Sequence, residues 1–226
     1  MIPALFRALS DLVDPALRRV LFRSVGLALL ALVALWAAVG LVIERTTFFN
    51  YWLFDRAVDV LGGIATLALS WLLFPAVVTL VMSFFLDGVI AAIEARHYPG
   101  LPPARPQPLG ETVGGALRLT ALAVLLNLLA LPFYVFIPAA NLLLFYTLNG
   151  YLLGREYFEL VALRRFEAAP AKALRRANAG MVFLAGVAAA FLLSVPVLNL
   201  AAPLFAASLM VHLFQRLRAG ALITSH

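Results

Sequence analysis

The sequence contains no cysteine, which excludes disulfides, thiolate metal sites and a cysteine nucleophile. Lysine is nearly absent: the single Lys172 lies between Ala171 and Ala173, so no phosphate-binding P-loop can be built. Neither HExxH nor GxSxG occurs. The three histidines, His97, His212 and His226, are scattered along the chain and read as no metal or catalytic cluster. No enzymatic activity, cofactor or metal is expected. Charge is scarce as well. Only 12% of residues are charged, about half the share of a typical soluble domain. In its place stands apolar surface: 64% of the 226 residues are hydrophobic and the mean hydropathy is +1.01. A soluble chain of this size could not cover so much apolar side chain with polar surface, whereas lipid removes the need.

The net charge is +6, and all the basic residues but Lys172 are arginine. They gather at the ends of apolar runs, where they set topology and meet anionic headgroups. With no basic domain and no aromatic RNA-binding motif, nucleic acid is not expected as a partner; membrane lipid is.

Residues 2–22 read as an amphipathic interfacial helix. Ile2, Leu5, Phe6, Leu9, Leu12, Val13, Ala16, Leu17 and Val20 recur at helical spacing on one side. Arg7, Ser10, Asp11, Asp14 and Arg18 fall on the other. Pro15 starts a new helix, with Asp14 as its N-cap. The uncharged run 24–43 is one bilayer thickness long and too long for a signal-peptide core. Residues 60–86 form a second uncharged run with a kink at Pro75, and interfacial aromatics lie between the two. Five prolines in 99–108 make that segment a loop.

Two longer apolar blocks follow, 119–154 and 177–215. Each has prolines near its middle and repeats a Pro-x-x-Asn-Leu pattern: Pro138, Asn141 and Leu142 in the first, Pro196, Asn199 and Leu200 in the second. Proline with asparagine inside an apolar run is turn chemistry, so each block reads as a helical hairpin. Its arms, about 15 residues or roughly 22 Å each, are short for a core of about 30 Å. The expected fold is therefore an all-α integral membrane domain over 1–226. It has two long transmembrane helices, two partly penetrating hairpins and the N-terminal interfacial helix. If only residues 44–59 stand on the far side, fifteen of the seventeen basic residues lie on one side. The positive-inside rule makes that side cytoplasmic.

Three groups of residues invite a functional reading. Arg18 and Arg19 stand at a predicted helix start, where free N–H groups and two guanidinium forks suit an oxyanion; a lipid-facing topology flank is the bland alternative. Arg155 and Glu159 are four apart, an ion-pair spacing, and Arg164 and Arg165 follow on an interfacial helix. Asn127, Asn141, Asn149 and Asn199 lie inside apolar blocks, where polar groups line a path, form turns or bond between helices.

The segment Gly-Tyr-Leu-Leu-Gly-Arg-Glu-Tyr-Phe-Glu-Leu-Val-Ala-Leu-Arg-Arg over 150–165 resembles the signature of the CysZ-type, etoposide-induced-protein-like membrane family. The two Pro-x-x-Asn-Leu turns and Glu-Ala-Arg-His-Tyr-Pro over 94–99 are similar to that family too, over nearly the whole chain. The resemblance implies sulfate uptake for cysteine synthesis across the bacterial inner membrane, homo-oligomers, and two long helices with partly inserted hairpins. It also implies that a Gly-Leu-Arg-Arg motif binds sulfate; the matching positions are Ala16, Leu17, Arg18 and Arg19. Ala16 stands where the motif has glycine, adding a methyl group and restricting φ. The competing reading is a non-transporting, membrane-organising protein whose hairpins wedge into one leaflet.

Overall fold

Proline and polar punctuation decide where the helices begin and stop. The computed structural model describes residues 1–45, 81 and 85–223, and every regular element among them is helical. The elements are α1 (Ile2–Asp11), α2 (Pro15–Arg45), α3 (Leu86–His97), α4 (Leu109–Phe136), α5 (Asn141–Ala162), α6 (Ala168–Ala177), α7 (Ala179–Ser194) and α8 (Ala202–Ile223). Short 3-10 turns at Pro138–Ala140 and Leu198–Leu200 join α4 to α5 and α7 to α8. The expected span 60–86, its Pro75 kink and the aromatics at 48–54 lie outside the described residues, apart from positions 81, 85 and 86. The chain divides into two compact units, Met1–Leu17 with Leu86–His226, and Arg18–Phe85.

In the smaller unit, α2 continues unbroken to Arg45. Phe22, Leu27, Leu30, Val33 and Trp36 are exposed along it, as expected of a helix whose solvent is lipid.

In the larger unit, α8 is the axis. Residues 202–215 are buried without interruption, and α1, α3, α5 and α7 all pack on this helix. Phe214 meets Phe158 and Phe166 edge to face, with centroids 5.9 and 5.5 Å apart, a favoured aromatic geometry. α5 and α7 approach closely. Gly150 and Gly154 are one turn apart on α5 and face Gly186, Val182 and Val187 of α7. Backbone touches backbone there, the packing that small residues permit in lipid.

Two expectations need correction. The hairpin arms are not uniformly short: α4, α5, α7 and α8 have 28, 22, 16 and 22 residues. At about 1.5 Å per residue these are roughly 42, 33, 24 and 33 Å long. The uncharged block starts at Leu119, but charge does not stop a helix. Pro108 does, and α4 runs from Leu109 through Glu111 and Arg118. Residues 113–136 of α4 are long and apolar enough to cross a membrane, with mean hydropathy 2.2 over their most apolar stretch.

The second correction concerns α1. Its buried residues are Ala4, Ala8 and Asp11, while Ile2, Phe6, Leu9 and Val13 are exposed. Asp11 belongs to the packed face and not to the polar one. Small residues let α1 approach α8, and the bulky apolar ones are turned outward.

Candidate functional site

A cleft of about 510 Å³ opens where α4, α5 and α6 come together. Helical spacing builds each wall. Glu111, Gly114, Gly115 and Arg118 share one side of α4; Tyr151, Arg155 and Glu159 recur every fourth residue on α5; Ala171, Lys172, Arg175 and Arg176 come from α6. Glycines on α4 keep the space open, and the basic residues supply its charge. Five cations line it against two carboxylates. Both acids are already engaged. Arg105 Nη2 donates to Glu111 Oε2 at 2.8 Å, and Glu159 Oε1 accepts from Arg155 Nε at 3.0 Å and is ion-paired with Arg175, whose Nε stands 3.4 Å away. The cleft presents a surplus of positive charge, arginine forks and one lysine, to whatever enters, a chemistry suited to an oxyanion.

The i,i+4 spacing of Arg155 and Glu159 does form the expected ion pair, but the same arginine also lines the cleft. Arg164 and Arg165 turn elsewhere. Arg165 makes a two-pronged pair with Glu94: Nε to Oε1 at 3.2 Å and Nη2 to Oε2 at 2.6 Å. Its Nη1 donates to the Pro102 carbonyl. Arg164 Nη1 reaches Asp87 at 3.0 Å. The end of α5 is thereby fastened to α3 and to the proline-rich loop, whose Arg105 N–H also donates to the Arg164 carbonyl at 2.8 Å.

Arg18 and Arg19 sit in the opening turns of α2, and both side chains are exposed. Leu17 is buried at 4% exposure. The Arg18 guanidinium lies over the Phe22 ring, 5.8 Å from its centre. Asp14, which precedes this turn, is ion-paired with Arg96. The asparagines are not gathered into one site. Asn127 and Asn149 donate within their own helices, to the Ala123 and Phe145 carbonyls at 2.8 and 2.9 Å. Asn141 opens α5 and Asn199 sits in the 3-10 turn before α8.

The largest departure from expectation is a buried polar network at the end of α1. Asp11 Oδ1 meets His97 Nε2 at 2.8 Å; Asp11 Oδ2 meets His212 Nε2 at 2.9 Å and accepts from Ser208 Oγ at 2.6 Å. Tyr98 OH pairs with His212 Nδ1 at 2.8 Å. Burial alone would raise the Asp11 carboxyl. Hydrogen bonds from His212, Ser208 and His97, with the charge of His97, outweigh it and hold the pKa at about 2. Burial pushes the Tyr98 hydroxyl up, and Arg7 beside it acts the other way. Two of the three histidines are therefore neighbours, their rings 4.9 Å apart, and the expectation that they are scattered is wrong. No local motif signals this, because Asp11 and His212 are 201 residues apart.

Residues 4–203 match the family described as Sulfate transporter CysZ/Etoposide-induced protein 2.4. No curated protein and no solved structure matches the chain.

Proposed function

The chain belongs to the Sulfate transporter CysZ/Etoposide-induced protein 2.4 family, and from that membership we propose that it is a sulfate-type anion permease or channel of the bacterial inner membrane, supplying sulfate for cysteine synthesis. The observation that carries this reading is the cleft between α4, α5 and α6, where five cations outnumber two carboxylates that already have partners. Arg18 and Arg19 recruit the oxyanion at the start of α2, where backbone N–H groups add to the guanidinium forks. The chain assembles as a homo-oligomer in lipid. Its sequence carries no ATPase motif, so the anion moves down its gradient.

Uptake of labelled sulfate into liposomes holding the purified protein tests this. Wild type takes up sulfate, and Arg118→Gln with Arg176→Gln slows uptake. Arg18→Ala or Arg19→Ala weakens sulfate binding roughly ten- to a hundred-fold, because a charge-assisted hydrogen bond is worth about 1.5–3 kcal/mol and each 1.4 kcal/mol is tenfold. Arg19→Lys rescues only part of this, lacking the planar fork; a topology flank would accept lysine fully. Wild-type liposomes silent under every imposed gradient would sink the permease reading and favour the membrane-organising one.

The fifteen-to-two split of basic residues supports both termini facing the cytoplasm. Single cysteines meet no background thiol in this chain. One placed within 46–52 reacts with an impermeant reagent from the periplasm, and one within 99–108 does not. The reverse pattern overturns the assignment.

A further inference from the structure

Two imidazoles and one carboxylate converge at a place that the transport reading does not use. Asp11 ends α1, His97 ends α3 and His212 lies in the buried middle of α8. Their ligand atoms all stand within 4.8 Å of one another. We propose that Asp11, His97 and His212 bind a divalent transition-metal ion of the zinc class, which clamps α1 to α3 and α8.

The donor set selects the ion. Imidazole nitrogen with one carboxylate suits zinc, cobalt, nickel or copper, whereas magnesium and calcium require oxygen cages. The geometry is close to what such an ion needs. In a tetrahedral site with bonds of about 2.0–2.1 Å, neighbouring donors stand about 3.4 Å apart. The His97 and His212 Nε2 atoms lie 2.8 and 2.9 Å from Oδ1 and Oδ2 of Asp11, so these pairs spread by about half an ångström around an ion, while the ligand atoms farthest apart, within 4.8 Å, draw in. With Nε2 ligated, a neutral imidazole carries its proton on Nδ1, so the two Nε2–carboxylate hydrogen bonds give way to coordinate bonds from both imidazoles and from the carboxylate.

The surroundings are arranged as they are around metal-binding histidines. Tyr98 OH holds His212 Nδ1 at 2.8 Å, so with Nε2 on the metal, Nδ1–H donates to the tyrosine oxygen and fixes the ring. Ser208 Oγ donates to Asp11 Oδ2 and fixes the carboxylate so that Oδ2 faces His212 and Oδ1 faces His97. The His212 side chain is 1% exposed and that of Asp11 4%, while His97 keeps 24%. His97 is thus the most accessible of the three ligands, and the ion can enter past it.

The test uses full-length protein without a histidine tag, stripped with chelator and titrated with Co²⁺ in detergent. Wild type binds one equivalent, gives the visible absorption of four-coordinate cobalt, and gains thermal stability that chelator removes. His97→Gln, the most exposed ligand and the safest for folding, abolishes the absorption. Tyr98→Phe leaves all three ligands in place and weakens cobalt affinity about ten- to a hundred-fold. His226→Gln, which removes the third histidine, leaves the spectrum unchanged. Wild type that binds no cobalt overturns the proposal, as does a His97→Gln spectrum equal to wild type. Sulfate uptake is measured on the same preparations, and the proposal stands or falls independently of it.

Discussion

Gly186→Ala prevents α5 and α7 from packing in their native register. A Cβ at this position would overlap the Gly150 carbonyl oxygen, and would stand 2.5 Å from the Gly154 nitrogen and 2.8 Å from its Cα. All three obstacles are backbone, so no side chain can turn aside to make room. Overpacking a core typically costs about 1–3 kcal/mol when side chains can yield; here the cost is about 3 kcal/mol or more, because two helices must separate. Lipid sharpens the effect. Apolar surface gains little by leaving a hydrocarbon solvent, so close packing must carry the association that the hydrophobic effect carries in water. Gly180→Ala is the control, since a methyl group there meets nothing within 4 Å and alanine favours the helix by up to about 1 kcal/mol. Thermal unfolding of the detergent-purified proteins separates them. Gly186→Ala should lose its folded, monodisperse form or melt far below wild type, and Gly180→Ala should match or exceed wild type. Equal melting of Gly186→Ala and wild type would remove this crossing from the account of the fold.

The pair between Glu94 and Arg165 gives the second large effect. Their side chains are only 4% and 6% exposed. Removing one partner of a buried pair leaves a charge without compensation, which costs about 3–5 kcal/mol. Arg165→Ala should therefore destabilise severely. Glu94→Gln should do less damage, because the amide still accepts a hydrogen bond and the arginine keeps the Pro102 carbonyl. Replacing both together, Glu94→Leu with Arg165→Met, should recover most of the loss, since a packed apolar pair is often as stable as a buried ionic one. Arg164 moderates the single variants. It stands 3.7 Å from Glu94 as well as pairing with Asp87. A double-mutant cycle on thermal stability reads the coupling. Single and double variants all melting with wild type would show that the proline-rich loop and α5 are held by other contacts.

These two sites mark how far the residues alone could be read. The helical class followed from composition, and the joints from Pro15, Pro108, Pro138 and the Pro-x-x-Asn-Leu repeat, because proline acts locally. Arm lengths were misjudged where charged residues continue a helix, as Glu111 and Arg118 do in α4. Periodicity found the two faces of α1 but placed Asp11 on the polar one, whereas it lies with Ala4 and Ala8 on the face that packs. A side chain's polarity does not reveal that Ser208, His97 and His212 wait to bond it. The Arg155–Glu159 pair was legible because it closes within one turn. The cleft around it was not, since Arg118 and the α6 cations reach it only through tertiary packing. Arg164 and Arg165 looked like an interfacial flank, and their partners Asp87 and Glu94 lie more than 70 residues earlier.

The burial of Asp11 against α8 also orders events during synthesis. Its carboxylate leaves the ribosome early, but Ser208 and His212 follow only 197 and 201 residues later. At about 5–20 residues per second, roughly 10–40 s of elongation separate them. Throughout that interval the nascent α1 can expose Ile2, Phe6 and Leu9 to lipid, and its aspartate can meet His97 but not the two α8 partners of its Oδ2. α1 is therefore made well before the helix it packs against, and its docking is complete only once α8 has been made.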